Sequence, residues 1–299
     1  MTDAAFYLGQ AFNGLSVASI LLLAALGLSL SFGLMRVINL AHGELLMLGG
    51  YVAYLAQRAV PGDASFLAAL PLAFAGAALL GAALYQTALR RLEGRPLDTL
   101  LATFGVSLIL QQLARSIFGA TGVEAIAPKA LQGAWTFSGA LEGLSISALR
   151  LFIIALAAAT LAALWFFFQR TKLGREARAV QQDRDMAQAL GIDAERVNRA
   201  VFALGSGVAG LAGACLAFLA PVTPTVGMSY VVDAFLVVIV GGAGSVAGAA
   251  LAALGVGGLS AAAQAVTSAS VAKTLLLVAT ILTLQWKPQG LLPERTGEG

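Results

Sequence analysis

The 299-residue chain is 59% hydrophobic and only 11% charged, with a mean hydropathy of +0.86. Soluble domains carry about a quarter charged residues, so a water-soluble fold is excluded. The formal charge of +3 and the pI near 9.2 come from Lys and Arg in short segments between apolar runs, a pattern of membrane topology rather than of nucleic-acid binding.

The apolar runs recur along the whole chain, and many approach the roughly 20 residues that cross a bilayer as helix. Stretches such as 21–28 and 151–168 lack the apolar–polar alternation of an outer-membrane barrel. The expected fold is therefore all-α, a polytopic transmembrane helical bundle forming a single domain over residues 1–299. Residues 1–10 hold no Lys or Arg, so the charged start of a cleaved signal is missing and the first span is expected to stay.

Spans are predicted at residues 12–34, 41–57, 64–88, 99–118, 149–168 and 201–220. The loop with Arg90, Arg91 and Arg95 and the loop 169–199 are basic, whereas 119–147 holds only Lys129. The positive-inside rule places the first two in the cytoplasm and an external loop at about 119–148, which puts the N-terminus outside.

Lys287 and Arg295 argue for a cytoplasmic C-terminus, while the loop 221–229 is expected outside, so an odd number of crossings must follow. The apolar run 231–240 reaches only about 15 Å as helix. It is followed by Gly241, Gly242 and Gly244, then by apolar runs at 246–266 and 271–286. A broken or re-entrant helix is expected near Gly241–Gly244, close to mid-membrane, with about seven to nine spans in all. Gly205, Ala209 and Gly213 share a helix face suited to close packing on another helix. No tandem repeat is visible.

Charged groups are costly in hydrocarbon and so mark partners or cavities. His42, Glu44, Asp98, Arg115, Asp233 and Lys273 form that set. Asp98, Arg115 and Lys273 lie near span ends and can snorkel. In the segment 35–44, M-R-V-I-N-L-A-H-G-E, Asn39 and His42 share a helix face, and Glu44 joins them only if the backbone breaks at Gly43. The alternative is a tight turn from Arg36 to Gly43, with Asn39 capping the next helix and Glu44 near its positive end. Asp233 is either a first-turn acid or a polar group at the mouth of a path. Thr103 and Ser107, four residues apart, place two hydroxyls on one face.

The single Cys215 and the single His42 provide neither a disulfide framework nor a metal cluster, and no cofactor is expected. No G-x-x-x-x-G-K-[ST] phosphate loop occurs, so the chain does not bind ATP in that manner. The loop 169–199 contains R-E-A-R-A-V-Q-Q-D-R-D-M-A-Q-A-L-G-I, which reads as one or two short helices ending at Gly191. Its apolar positions Ala179, Val180, Met186, Ala187 and Leu190 offer a surface for a partner.

The stretches R-E-A-R-A with D-M-A-Q-A-L-G-I, G-L-M-R-V-I-N-L-A-H-G-E at Gly33 to Glu44, and G-G-A-G-S at Gly241 to Ser245 resemble the permease family of branched-chain amino-acid ABC importers. The sequences R-P-L-D-T-L-L-A-T-F-G-V-S-L-I-L-Q-Q at Arg95 to Gln112, S-Y-V-V-D-A-F-L-V-V at Ser229 to Val238 and K-P-Q-G-L at Lys287 to Leu291 are more similar to its urea-import branch. V-T-P-T-V-G-M at Val222 to Met228 departs from that branch.

The resemblance implies a bacterial inner-membrane subunit without its own ATPase. Its implied partners are a second homologous permease, two cytoplasmic ATP-binding subunits and an extracytoplasmic solute-binding protein. It further implies that Arg175, Glu176, Ala177, Arg178 and Gly191 lie in the segment coupled to the ATPase. Urea is the expected solute, with a branched-chain amino acid or another small amide as the alternative. The solute path is expected along Asn39, His42, Glu44, Thr103, Ser107 and Asp233. A passive urea channel would need no docking loop. A secondary transporter would carry more intramembrane acids than Glu44 and Asp233.

Overall fold

The computed structural model describes residues 3–35, 38–60, 62–136 and 145–292. Arg36 and Arg295, used in the turn and topology expectations above, lie outside them. Eleven α-helices occur among the described residues: α1 (Asp3–Met35), α2 (His42–Ala59), α3 (Ala64–Thr87), α4 (Pro96–Phe118), α5 (Ala148–Arg170), α6 (Lys172–Gln182), α7 (Arg184–Ala189), α8 (Ala194–Ala217), α9 (Val226–Gly241), α10 (Val246–Val266) and α11 (Ala269–Trp286). Seven of them, α1, α3, α4, α5, α8, α10 and α11, are long and apolar enough to cross a membrane. α2 matches the 18 residues of α11 but is more polar, and α9 has only 16. Among the described residues, the all-α expectation is supplemented by a short antiparallel strand pair, β1 (Ala134–Thr136) with β2 (Ser145–Ser147), before α5, and by an isolated bridge between Val123 and Val222.

Burial divides the helices into two classes. The most apolar stretches of α1 and α8 are 83% and 78% buried, against 22% for both α4 and α5. α1 and α8 thus form the centre, and the apolar outer faces of α4, α5 and α11 are left for lipid or for another subunit. The centre closes through glycines. Gly27 of α1 meets the backbone of Gly205 in α8, and Gly213 meets the Leu46 carbonyl of α2, so the Gly205–Gly213 face packs on helices as its spacing predicts. Gly43 of α2 and Gly227 of α9 lie backbone to backbone, and a methyl on either would overlap the other.

The helix pairings repeat. α2 packs on α3, α8 and α4, and α3 packs on α8; in the same pattern α9 packs on α10, α1 and α11, and α10 packs on α1. α1 ends beside α6, with Gly33 near Gln181, whereas α8 begins just after α7. The second set, α8–α11, therefore starts at the end of the bundle where α1 finishes. This is an inverted structural repeat of α1–α4, a common transporter architecture.

The chain breaks between α9 and α10, as the glycines predict. Gly241 itself remains helical, and the turn is made at Gly242 (φ 103°) and Gly244 (φ 84°), values that side-chain-bearing residues rarely adopt. Ser245 then caps α10 by accepting from the Gly248 amide at 3.0 Å. α9 begins at Val226, five residues before the apolar run, and is correspondingly longer than the expected half-helix. The turn packs against Gly33, two residues from the end of α1, and against Gly290, four residues past α11. It therefore lies at the end of the bundle rather than halfway along it. There Leu291 and Leu292 donate to the Val240 and Gly241 carbonyls at 2.8 and 3.0 Å, covering the end of α9.

Candidate functional site

α4 places Thr99, Thr103 and Ser107 at four-residue spacing, and these polar residues are buried while Leu97, Leu101, Leu108 and Ile109 are exposed. Its polar stripe thus faces the bundle and its apolar faces look outward, the arrangement expected where lipid is the solvent. The stripe meets the start of α2. Ser107 Oγ and Gln111 Nε2 each donate to Glu44 Oε1 at 2.8 Å, and Gln111 also donates to Ser107 Oγ at 3.1 Å. One turn away the Leu40 amide donates to Thr103 Oγ1 at 3.2 Å.

Asn39, His42 and Glu44 are buried to within 1%. Asn39 Oδ1 accepts from the Ala41 amide at 3.0 Å and holds the turn before α2, but it is not the helix cap weighed from the sequence, since the N-cap is Ala41 and no side chain caps it. His42 is turned toward α1, its Nε2 lying 2.9 Å from the Ala24 carbonyl. Glu44 faces α4 from the first turn of α2. The opposed directions of His42 and Glu44 are met without a helix break at Gly43, since α2 already runs from His42.

Asn39 Nδ2, His42 Nδ1, Glu44 Oε2 and Tyr51 Oη are buried atoms without a hydrogen-bond partner. Tyr51 lies seven residues after Glu44 and stacks on Phe118 of α4, with ring centroids 4.2 Å apart. Gln111 and Tyr51 therefore belong to this seam, although sequence reasoning did not select them. The four-residue step Thr99, Thr103, Ser107 and Gln111 was the available signal for Gln111.

Asp233 is not part of the seam. It projects from α9 toward α11, where Lys273 Nζ lies 3.4 Å from Oδ2, with side chains 22% and 60% exposed. Lys273 is thus a partner of Asp233, not merely a residue at a span end. Asp98 pairs loosely with Arg95 at 3.9 Å in the open. Three surface cavities, of about 420, 290 and 310 Å³, are lined by residues other than these six candidates.

In the predicted coupling segment, Asp183 caps α7 by accepting from the Met186 amide at 2.9 Å. Gly191 follows α7 with φ 85° and donates to the Gln188 carbonyl at 2.9 Å, the left-handed terminus expected there. Of the apolar positions, Val180 and Ala187 are buried in the bundle, while Met186 and Leu190 are 58% and 75% exposed. Ala177 is fully buried and Arg178 turns back to donate to the Phe168 carbonyl, so both face their own chain. Glu176 forms an exposed pair with Lys172 at 3.6 Å, and Arg175 is exposed.

One residue outside all these expectations is Glu93, in the connection between α3 and α4. It accepts from Tyr85 Oη of α3 at 2.7 Å and from Asn198 Nδ2 of α8 at 3.1 Å, and it pairs with Arg184 of α7 at 2.5 Å. Burial pushes its carboxyl up, but the bonds from Tyr85, Arg184 and Asn198 outweigh that and leave it below its usual value. An acid between Arg90, Arg91 and Arg95 looks like topological charge in the sequence, and only the fold brings its three donors together.

The bundle of membrane-length helices, its inverted repeat and its sparse buried polar seam define a polytopic membrane transport component. The family described as the branched-chain amino acid transport system / permease component matches residues 10–284, and the chain belongs to it. It is similar to the high-affinity branched-chain amino acid transport system permease protein LivH of Salmonella typhimurium, at 30% identity covering 96% of both chains. The protein of corresponding name, BraD, of Pseudomonas aeruginosa is 30% identical over 98% of this chain and 97% of its own. A probable branched-chain amino acid transport permease protein of Methanocaldococcus jannaschii is 29% identical over 78% of this chain and 73% of its own. No solved structure matches the chain.

Proposed function

We propose that this chain is the membrane-spanning subunit of an ATP-binding-cassette importer and that its solute is a branched-chain amino acid. The observation that carries the importer reading is the α6–α7 segment. It holds Met186 and Leu190 out on a capped, ordered helix pair in a chain that has no phosphate loop of its own. Exposed apolar side chains on a short rigid element suit a groove on an ATP-binding subunit. In this reading residues 169–199 are cytoplasmic, the loop 119–148 and the N-terminus face outward, and the C-terminus faces the cytoplasm. The working assembly contains a second permease, two ATP-binding subunits and an extracytoplasmic solute-binding protein in a bacterial inner membrane.

The solute assignment shifts from urea to its alternative. The curated relatives carry branched-chain amino acids in their names, and the chemistry of the seam agrees. Glu44 has one oxygen occupied by neutral donors and the other unpartnered in the interior. The ammonium group of a zwitterion offsets the cost of a buried carboxylate, whereas neutral urea supplies no such charge. Asn39, Glu44, Thr103 and Ser107 form the path on one side, with His42 behind them and Asp233 as a separate polar point on α9.

The test is ATP hydrolysis by the assembled complex in proteoliposomes, with the binding protein loaded with leucine or offered urea. Stimulation by leucine and not by urea is expected. Stimulation by urea alone would return the solute to the first expectation, and hydrolysis indifferent to Leu190→Asp would remove the docking role of α7.

A further inference from the structure

Glu93 gathers onto one carboxylate a side chain from each of α3, α7 and α8. Tyr85 and Asn198, two of these partners, are 1% exposed, and Glu93 itself is 15% exposed. The buried end of this cluster is continuous with α4. Thr99 Oγ1 donates to the carbonyl of Leu92, the residue before Glu93, at 3.1 Å, which ties the first turn of α4 to the same connection. Further along α4, Thr103 holds the Leu40 amide, and Ser107 with Gln111 holds Glu44. An unbroken set of contacts therefore runs from the six-residue helix α7 through Arg184 and Glu93 to the buried acid of the polar seam.

We propose that Glu93 is a positioning residue that transmits displacement of α7 to α4, and so sets the opening of the seam at Glu44. The inference rests on the reading of α6–α7 as the ATPase-docking segment. Two features give the carboxylate this role rather than a local one. α4 has few neighbours in the bundle apart from α2 and its own entry turn, so it can shift without dismantling the centre. Arg184, by contrast, projects from the α7 surface and is 40% exposed, so its only described polar tie to the bundle is Glu93. A charged hydrogen bond transmits displacement better than exposed pairs, which solvent and salt screen. The nearby Arg90–Glu195 pair, 2.8 Å long with side chains 50% and 45% exposed, is such an exposed link and serves as the control.

The experiment compares Glu93→Gln, Arg184→Gln, their double variant and Arg90→Gln in the complete complex in proteoliposomes. It measures solute taken up per ATP hydrolysed, together with the amount of ATP-binding subunit that co-purifies. Gln at 93 still accepts from Tyr85 and Asn198, so folding and assembly should stay near wild type. Uptake per ATP is expected to fall about tenfold in each of the first two variants, a loss consistent with one charged hydrogen bond. The double variant should be no worse than either alone, because both remove the same link. Arg90→Gln should stay within about twofold.

Unchanged uptake per ATP in Glu93→Gln would overturn the relay, as would losses that multiply in the double variant. If Glu93→Gln fails to insert, Arg184→Gln decides alone, since it removes an accessible side chain. A wild-type complex that shows no ATP-dependent uptake would instead overturn the importer reading, which keeps the two failures apart.

Discussion

The α2–α4 seam and the α9–α11 seam occupy corresponding places in the two halves of the inverted repeat, and each contains one acid on its shorter helix, Glu44 on α2 and Asp233 on α9. Their chemistry differs. Glu44 is fully buried, meets the neutral donors Ser107 and Gln111, and keeps one oxygen free. Asp233 is partly exposed and has a cation, Lys273, at 3.4 Å. A buried acid with spare capacity is suited to receive a group that arrives and leaves, whereas an acid already matched by a lysine is a structural tie between two helices. Duplicated architecture thus leaves one half with a buried acid that keeps an unpartnered oxygen and the other with an acid tied to a lysine.

The comparison is sharpest where the halves touch and are equivalent. Gly43 and Gly227 face one another so closely that a methyl on either meets the partner backbone, which has no soft side chain to yield. Gly43→Ala and Gly227→Ala should each cost about 1–3 kcal/mol by overpacking. Reduced thermal stability of similar size in detergent is the expected measurement. A loss in only one of the two would show that the contact is not shared as described.

The acids should then separate. Glu44→Ala removes the acceptor of Ser107 and Gln111; Gln111 keeps its bond to Ser107 Oγ, but the buried Ser107 hydroxyl loses its acceptor, at about 1–3 kcal/mol. Uptake at matched protein should fall at least tenfold, since the path and its lining are both altered, and Glu44→Gln should retain part of it. Asp233→Asn should lower uptake only about twofold to threefold, because Lys273 is 60% exposed and can turn to solvent when its partner is neutralised. Equal losses in Glu44→Gln and Asp233→Asn would return Asp233 to the solute path and undo the division between the two seams.

Much of this arrangement was legible in the sequence, for a physical reason. Hydrocarbon forces backbone groups into helices, so apolar length alone locates the spans, and consecutive glycines after an apolar run locate the turn at Gly242–Gly244. The four-residue step Thr103 to Ser107 likewise marks a face, and Glu44 does join it. Which helices pair is set by tertiary packing, and there local reading stops. It could not tell that Asp233 looks toward Lys273 instead of Glu44, that Ala177 points into its own bundle, or that Glu93 has three donors drawn from separate helices. The inverted repeat was hidden for the same reason, since its two halves share a pattern of pairing and no motif. The turn at Gly242 was placed too deep because Gly227 and Ser229 interrupt the start of α9, so Val226 to Tyr230 does not read as part of an apolar run although it is helical.

The smallest expected effect belongs to Asp98, which sequence and structure both place at a helix start. Its carboxylate stands 3.9 Å from Arg95, with side chains 53% and 72% exposed, and contributes at most about 0–1 kcal/mol through that pair. Its position in the first turn of α4 adds a favourable interaction with the helix dipole of about 0.3–1 kcal/mol, which salt screens. Asp98→Asn keeps the side-chain size and only removes the charge, so uptake should stay within about twofold of wild type, with any residual loss shrinking as ionic strength rises. The same turn carries Thr99, whose hydroxyl ties α4 to the Leu92 carbonyl. Thr99→Val, one residue away, should therefore reduce uptake more than Asp98→Asn, and the reverse order would mean that surface charge at this end of α4, rather than its attachment to the Glu93 connection, governs transport.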